Sequence, residues 1–566
     1  MILTGATVLV KIIGMVYKIP LGNILGAGGM SHFMSAYSIF TPILALSVAG
    51  FPVAVSKLVS ESAARGRYRD VRRIFRVGLW MFLFTGMIGS GVMLVGSSAF
   101  ARAIANPEAA LAIAAMAPAV LLCCVMSSFR GYYQGLRNMN PTAVSQIIES
   151  LARLGFGILM SSLAMRRGLA EFVSYGTVFG RVMENSEQAY LAVLPYAAAG
   201  AVLGVTISTL VGALFLVMRH GFCGDKIERT RIKASPYPEK RGRIAKNLWR
   251  ISLPVCLAAA VSHIAGVIDV ATIMNRISVA ILRDYDAVVG QFRGYMPPGL
   301  ESGAVPSFLY GAFGYTASLF SLIPALTITL GISALPVISA HWALGERRQA
   351  GERAASVIKM SAMLAIPAGL GMSVLSHPIL TLLYPSRPNE VAIAAPLLSM
   401  MGIAAVLSGI ATPLMSIFQS VGRVDLPVKL MLLGASVKIV VNYTMLADPR
   451  LNIAAAPIGT ILCYTAILIG GLIALRRSVG MSPPAGKTFV KPLICGIICA
   501  FAAHTCYAVL SRMWDSRMVT LVAISVGGIF YIIFILLLRT ITRSEALMLP
   551  CGKKIAKTLE TFKFLG

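Results

Sequence analysis

The sequence predicts an all-α polytopic membrane protein of about fourteen transmembrane helices. The expected arrangement is two six-helix lobes related by a parallel repeat around a central cavity, with two more helices at the C-terminal end. Three observations predict this class. The chain is 57% hydrophobic and only 13% charged, where a soluble domain carries about 25% charge. Its apolar residues fall in runs of about 20, the length that crosses a ~30 Å hydrocarbon core at 1.5 Å per residue. Lys and Arg concentrate in every second connection, as they do in loops held on the cytoplasmic side.

Taken in order, the expected spans of the first lobe are 3–25, 33–58, 77–99, 110–130, 141–165 and 190–218. Those of the second are 250–275, 308–338, 357–382, 390–418, 426–446 and 453–475, and the last pair is 489–511 and 518–540. The domains are therefore residues 1–219 (first lobe), 220–249 (a basic cytoplasmic linker), 250–477 (second lobe), and 478–566 (the last two helices and a basic cytoplasmic tail). The N-terminus lacks a signal peptide's basic start and cleavage site, so the first apolar run is expected to stay as a helix. Connections after even-numbered spans, with the tail, hold roughly 34 Lys and Arg against about 11 on the other side. That asymmetry predicts a multi-pass membrane protein with both termini in the cytoplasm. The net charge of +28 is then directed at anionic inner-leaflet lipids, each basic residue near the surface contributing about 1 kcal/mol. A nucleic acid partner is not needed to explain it. The tail "CGKKIAKTLETFKFLG" is expected to lie as a short basic helix on that leaflet.

An internal repeat supports two lobes. "LSVAGFPV" (Leu46–Val53) matches "LGISALPV" (Leu330–Val337), "MSSF" (Met126–Phe129) matches "MSIF" (Met415–Phe418), and "RNMNP" (Arg137–Pro141) matches "RVDLP" (Arg423–Pro427). The matches come in order at nearly one offset, about 286 residues, as a duplication would leave them. Pro141 and Pro427 each open a span, which puts Arg153 and Lys438 at about 18 and 17 Å depth, at matching places in the two halves. Lys11 and Lys18, seven residues apart, share one face of the first span.

A charge at the bilayer centre costs about 2.5–3.5 kcal/mol or more, so these four cations must face a wet cavity, pair internally or bind an anion. The acids clearly within spans are Glu149 and Asp269. Glu149 precedes Arg153 by four residues, the favourable order for an intrahelical pair. Two readings stay open there: the pair neutralises itself, or Arg153 still presents donors to the cavity. Lys438 is followed one turn later by Asn442 as a supporting polar group. The surplus of fixed positive charge favours an anionic substrate and disfavours a cationic drug. Asp269 is a candidate cation ligand or proton carrier.

Enzyme chemistry finds no support. The nine cysteines have no metal or disulfide spacing, and "GMSPPAGKT" (Gly480–Thr488) misses the phosphate-loop spacing and its preceding strand. External loops lack the Asp, His and Ser clusters of a membrane transferase.

"FRGYYQGLRNMNPTAVSQIIE" (Phe129–Glu149) resembles the loop and fifth helix of the stage V sporulation protein B and polysaccharide biosynthesis family, within the multidrug/oligosaccharidyl-lipid/polysaccharide exporter superfamily. "SVAGFPVAVSKLVSE" (Ser47–Glu61), "LSHPILTLLY" (Leu375–Tyr384), "MSIFQSVGRVDLPV" (Met415–Val428) and "VKIVVNYTML" (Val437–Leu446) fit it too. The resemblance implies a two-lobed flippase moving an undecaprenyl-diphosphate-linked sugar, lipid II or a polysaccharide repeat unit, by alternating access. It would serve cell-wall, spore-cortex or polysaccharide synthesis beside cell-wall enzymes; the alternative is a cation-coupled multidrug antiporter. Lys11 matches a basic position of helix 1 in the lipid II branch, and Lys18 does so approximately. That branch also has arginines on helices 2 and 8; here span 2 offers only Lys57 at its inner end, and span 8 has no basic residue. Some members bind Na+ through an acid on helix 7, an Asn and an Asp on helix 11 and a Thr on helix 12. Asp269, Asn442 and Thr460 fit, but Leu446 stands where the second acid would be. Coupling is therefore expected to Na+, to H+ or to the membrane potential, with no other cofactor.

Overall fold

The computed structural model describes residues 2–542 apart from 226, 299, 424, 481, 482, 515 and 541. The basic tail from Cys551 onward, expected as a surface helix, lies outside the described residues. The first helices in chain order are α1 (Ile2–Val48), α2 (Phe51–Ala64), α3 (Tyr68–Val95), α4 (Ser97–Ala103), α5 (Ala110–Gly135) and α6 (Asn140–Tyr175). After the hairpin β1 (Thr177–Val178) and β2 (Arg181–Val182) come α7 (Ser186–Cys223), α8 (Arg229–Ala234) and α9 (Arg241–Arg283). Then follow α10 (Tyr285–Gly290), α11 (Val305–Phe320), α12 (Leu322–Ala343), α13 (Arg347–Val374), α14 (Ser376–Leu383), α15 (Pro388–Ser420), α16 (Asp425–Met445), α17 (Ala455–Val479), α18 (Lys491–Met513) and α19 (Met518–Leu537).

Among the described residues, twelve stretches are long and apolar enough to cross a membrane. The first, Leu9–Ala64, takes in two expected spans, and the expected span 250–275 lies inside α9. Each span read from the sequence thus falls on one helix or on two in series, as 33–58, 77–99, 308–338 and 357–382 do, and the protein is an all-α polytopic membrane protein. Helix α3 illustrates the solvent it is built for. Its outer face carries Trp80, Phe84, Met87, Ile88 and Val95, all exposed. Its inner face is Gly78, Phe82, Gly86, Gly89 and Met93. Large apolar groups outside and three glycines on the inner face is the pattern of a helix bathed in lipid, where close backbone approach replaces hydrophobic burial.

Breaks in the helices follow sequence. Gly26 interrupts α1 with φ 62° and ψ −174°, a conformation that glycine alone adopts without penalty. Pro52 opens α2 directly after the break that ends α1, and Pro324 sits in the first turn of α12, just after the break at Ser321. Both lack the N–H that a helix start leaves unpaired anyway. Pro42 and Pro336 lie inside α1 and α12.

The chain forms two compact units, residues 1–278 with 297–314, and residues 279–296 with 315–566. The division falls within α9 and α11, so residues 250–275 pack with the first unit. The two units share an element order. Helices α3 and α13 are both 28 residues long, and short helices of 7 and 8 residues follow them.

The first unit centres on Phe51, Phe82, Phe129, Tyr132, Tyr133 and Leu248. The segment 220–249, expected as a linker, is strapped to this unit rather than loose. Arg72 donates from Nε and Nη2 to Asp225 at 2.9 and 3.1 Å, and the Tyr132 hydroxyl donates to the same carboxylate at 3.0 Å. Arg69 donates to the Ile232 and Lys233 carbonyls at 3.0 and 2.9 Å, and the Glu239 N–H donates to Asp70 at 2.7 Å. Burial alone would raise the Asp225 carboxyl, but hydrogen bonds from Arg72, the Ile227 N–H and Tyr132 outweigh it and hold it below the usual carboxylate range.

Candidate functional site

Helix α6 has 36 residues, and Arg153 stands near its midpoint. A helix this long spans about 54 Å, and Arg153 lies about 20 Å from its start. It packs beside α1 on both sides of the Gly26 break: the Tyr37 and Tyr17 hydroxyls lie within electrostatic reach of its guanidinium. Gly157, one turn further along, is what admits Tyr17; a Cβ there would sit 2.5 Å from the tyrosine ring. On the same stretch of α1, Lys18 is half-buried and Lys11 is exposed.

The intrahelical pair read from the sequence is formed. Arg153 Nη2 donates to Glu149 Oε1 at 2.7 Å. It is not a closed pair, because the other carboxylate oxygen accepts from Arg130 Nη2 of α5 at 3.0 Å. Arg130 is anchored as well by its Nε, which donates to Ser145 Oγ at 3.0 Å. Side-chain exposures are 15% for Arg130, 12% for Glu149 and 29% for Arg153, so Arg153 is the most exposed of the three. One carboxylate shared by two guanidiniums leaves a net charge of +1 among groups that are mostly buried. Sequence reasoning assigned Arg130 to a span end; the signal available was its place in the "FRGYYQG" stretch, 19 residues before Glu149.

In the second unit Lys438 is 9% exposed and Asn442 fully buried on α16. Helix α17 passes directly over them: a Cβ on Gly459 would collide with the Asn442 amide oxygen and lie 3.7 Å from Lys438 Cγ. Thr460, beside Gly459, donates its hydroxyl to the Ala456 carbonyl at 3.0 Å. Lys438, Asn442 and Thr460 are thus grouped on α16 and α17. Asp269 belongs to the first unit, within electrostatic reach of the Tyr310 hydroxyl. Of the expected Na+ ligands the second unit holds one amide, Asn442, and one hydroxyl, Thr460, and Leu446, where another acid would stand, is fully buried. Those two groups are neutral, so the negative charge of a Na+ site has to come from an acid. Among the described residues no group of three or more His, Cys, Asp or Glu is placed to hold a metal.

Two further buried ionisable side chains were not singled out by sequence. Lys359 on α13 is 5% exposed. Glu390, in the first turn of α15, accepts a hydrogen bond of 2.5 Å from Tyr315 and lies 3.9 Å from Arg387.

The family described as Polysaccharide biosynthesis protein matches residues 1–299, and the MatE family matches residues 303–444. Among curated relatives, "Lipid II flippase MurJ" of Bacillus subtilis is 24% identical over 551 residues, covering 94% of this chain and 93% of its own length. "Stage V sporulation protein B" of the same organism is 21% identical over 552 residues, covering 97% and 96%. Among solved structures, the inward closed conformation of the lipid II flippase MurJ superposes with a TM-score of 0.61 at 14% identity, covering 95% of this chain and 98% of that one. An inward-facing multidrug resistance MATE transporter superposes with a TM-score of 0.56 at 16% identity, over 82% and 95%. The fold is that of these transporters. A single family takes in more than half the chain, including all of the Arg130–Glu149–Arg153 cluster, and the chain belongs to the polysaccharide biosynthesis protein family.

Proposed function

We propose that the protein is a flippase that carries a polyprenyl-diphosphate-linked saccharide across the cytoplasmic membrane, the lipid II class being the first substrate to test. The observation that carries this reading is the charge balance in the helical interior. Arg130 and Arg153 share the single carboxylate of Glu149, and Lys18 lies on the helix that packs against them. Lys438 is buried in the other unit. A diphosphate head supplies counter-charge to the second guanidinium of the Arg130–Glu149–Arg153 cluster, and guanidiniums bind phosphate oxygens through paired N–H donors. The prenyl chain stays in hydrocarbon throughout. The cycle we propose is alternating access, with Lys11, Lys18 and Arg153 as the head-binding cations of the first unit and Lys438 as that of the second, both termini cytoplasmic, and the helix breaks before Pro52 and Pro324 as bending points. The transport is non-enzymatic, and cell-wall synthesis enzymes are its proposed partners. The donor set around Asn442 and Thr460 does not suit a Na+ by itself, so the coupling we favour is to membrane potential or H+.

The match of residues 303–444 to the MatE family favours a second reading, a cation-coupled drug antiporter on the same fold. A cationic substrate needs acidic lining, and the interior described above is net positive. The experiment that separates the two is complementation in a strain depleted of its lipid II flippase, with identification of the lipid-linked intermediate that accumulates in its absence. Rescue, with accumulation of a diphosphate-linked saccharide on depletion, supports the flippase. No rescue and no accumulated intermediate, with drug efflux in a pump-deficient host, overturns it.

A further inference from the structure

We propose that Arg130 is a positioning residue that keeps Arg153 available to a phosphate oxyanion, by taking Glu149 as its own counter-ion; this rests on the flippase reading above. Within α6 alone, Glu149 and Arg153 are four residues apart and would close into a neutral pair. The structure prevents that closure from α5. Glu149 Oε2 is held by Arg130 at 3.0 Å, while Oε1 is held by Arg153 at 2.7 Å.

The two arginines are bound differently. Arg130 is fixed at two points, through Nη2 to the carboxylate and through Nε to Ser145 Oγ. That hydroxyl in turn donates to the Thr142 carbonyl at 2.9 Å, so Arg130 is locked to the wall of α6. Arg153 is fixed at one point only. Its Nε is buried and has no hydrogen-bond partner. A guanidinium carries five N–H donors in a rigid fork, and an unpaired buried donor is costly to leave unmade. The arrangement therefore has one cation held at two points, one shared anion and one cation held at a single point, the last being the more exposed. Tyr37 and Tyr17 stand within electrostatic reach of Arg153, the Tyr17 hydroxyl donating to the Ala201 carbonyl at 3.4 Å. The ligand chemistry is one phosphate group of a diphosphate, bound at Arg153.

Removing Arg130 leaves Glu149 to neutralise Arg153, and binding falls although Arg130 itself touches no ligand. Removing Glu149 together with Arg130 frees Arg153 again. That compensation separates a positioning role from a merely structural staple between α5 and α6. The test titrates farnesyl diphosphate onto the full-length protein in phosphatidylcholine nanodiscs, with farnesol as the uncharged control. Arg153→Gln is expected to abolish the preference for the diphosphate. Arg130→Gln is expected to weaken binding about tenfold, and Arg130→Gln with Glu149→Gln to return it to within about threefold of wild type. Glu149→Gln alone is expected to bind at least as tightly as wild type, and this arm stands even where Arg130→Gln fails to fold.

Unchanged binding in Arg130→Gln, no recovery in the double variant, or weaker binding in Glu149→Gln each overturns the positioning role. A wild-type protein that binds farnesyl diphosphate no better than farnesol overturns the flippase reading instead. Inorganic pyrophosphate is expected to compete. Displacement of farnesyl diphosphate by phosphatidylglycerol added to the nanodisc, with no competition from pyrophosphate, assigns the site to a lipid headgroup and overturns the diphosphate assignment.

Discussion

Replacing Gly204 with alanine tests how the charged cluster is held. Helices α6 and α7 cross backbone to backbone, and the sequence "GAVLG" (Gly200–Gly204) puts two glycines one turn apart at the crossing, a spacing that permits such approach in membranes. An added Cβ at Gly204 would lie 2.5 Å from the Gly157 nitrogen and 2.6 Å from the Phe156 carbonyl carbon. Ordinary contacts between such atoms are about 3.5–4.0 Å, so the helices must part by about 1 Å. Overpacking on this scale costs roughly 1–3 kcal/mol. At about 2–4 °C per kcal/mol for a unit of a few hundred residues, the melting temperature should fall by several degrees. The displaced backbone at Gly157 is one turn from Arg153, so diphosphate binding should fall in the same variant. The assay is thermal melting of purified protein followed by gel filtration. The control is Gly155→Ala on the same helix, where nothing lies within 4 Å of the added methyl and no loss is expected. Equal melting temperatures for Gly204→Ala, Gly155→Ala and wild type would refute the reasoning.

Asp225→Asn should lower the melting temperature at neutral pH, since a charge-assisted pair on a partly exposed arginine contributes about 1–2 kcal/mol. The folded carboxyl titrates below its usual value, so its contribution is full above about pH 4 and is lost as pH falls through the folded value. The gap between variant and wild type should therefore close on acidification; a gap that widens would contradict the assignment. Lys438→Met should reduce transport by about tenfold or more while leaving melting within a few degrees, measured by flipping in proteoliposomes. Lys11→Gln, at an exposed position, should act on transport and not on stability, and equal transport would remove it from the substrate path.

Much of this architecture was legible because lipid imposes length and composition. The apolar runs fix where helices cross, and the Glu149–Arg153 spacing alone predicts the contact that forms. The grouping of Lys438 with Asn442 follows from one helical turn. Arg130 escaped because its partnership crosses a loop; a charge at a span end looks like a headgroup contact until the fold turns it onto Glu149. The strap from Asp225 to Glu239 escaped for a related reason, since a basic, apolar-poor segment carries no periodicity announcing that its carbonyls will receive Arg69 and its Asp225 the Arg72 fork. Helix α9 begins at Arg241 and ends at Arg283, well outside the run 250–275, because hydropathy registers only its apolar middle. The kink at Gly26 depends on a backbone angle to which hydropathy is blind.

The most direct measurement is flipping of a fluorescent polyprenyl-diphosphate saccharide by purified protein in liposomes, read as the fraction of headgroup accessible to a membrane-impermeant reagent. Diphosphate-dependent movement that is lost in Arg153→Gln is the predicted result. Movement equal to that in protein-free liposomes, or undiminished in Arg153→Gln, contradicts the account.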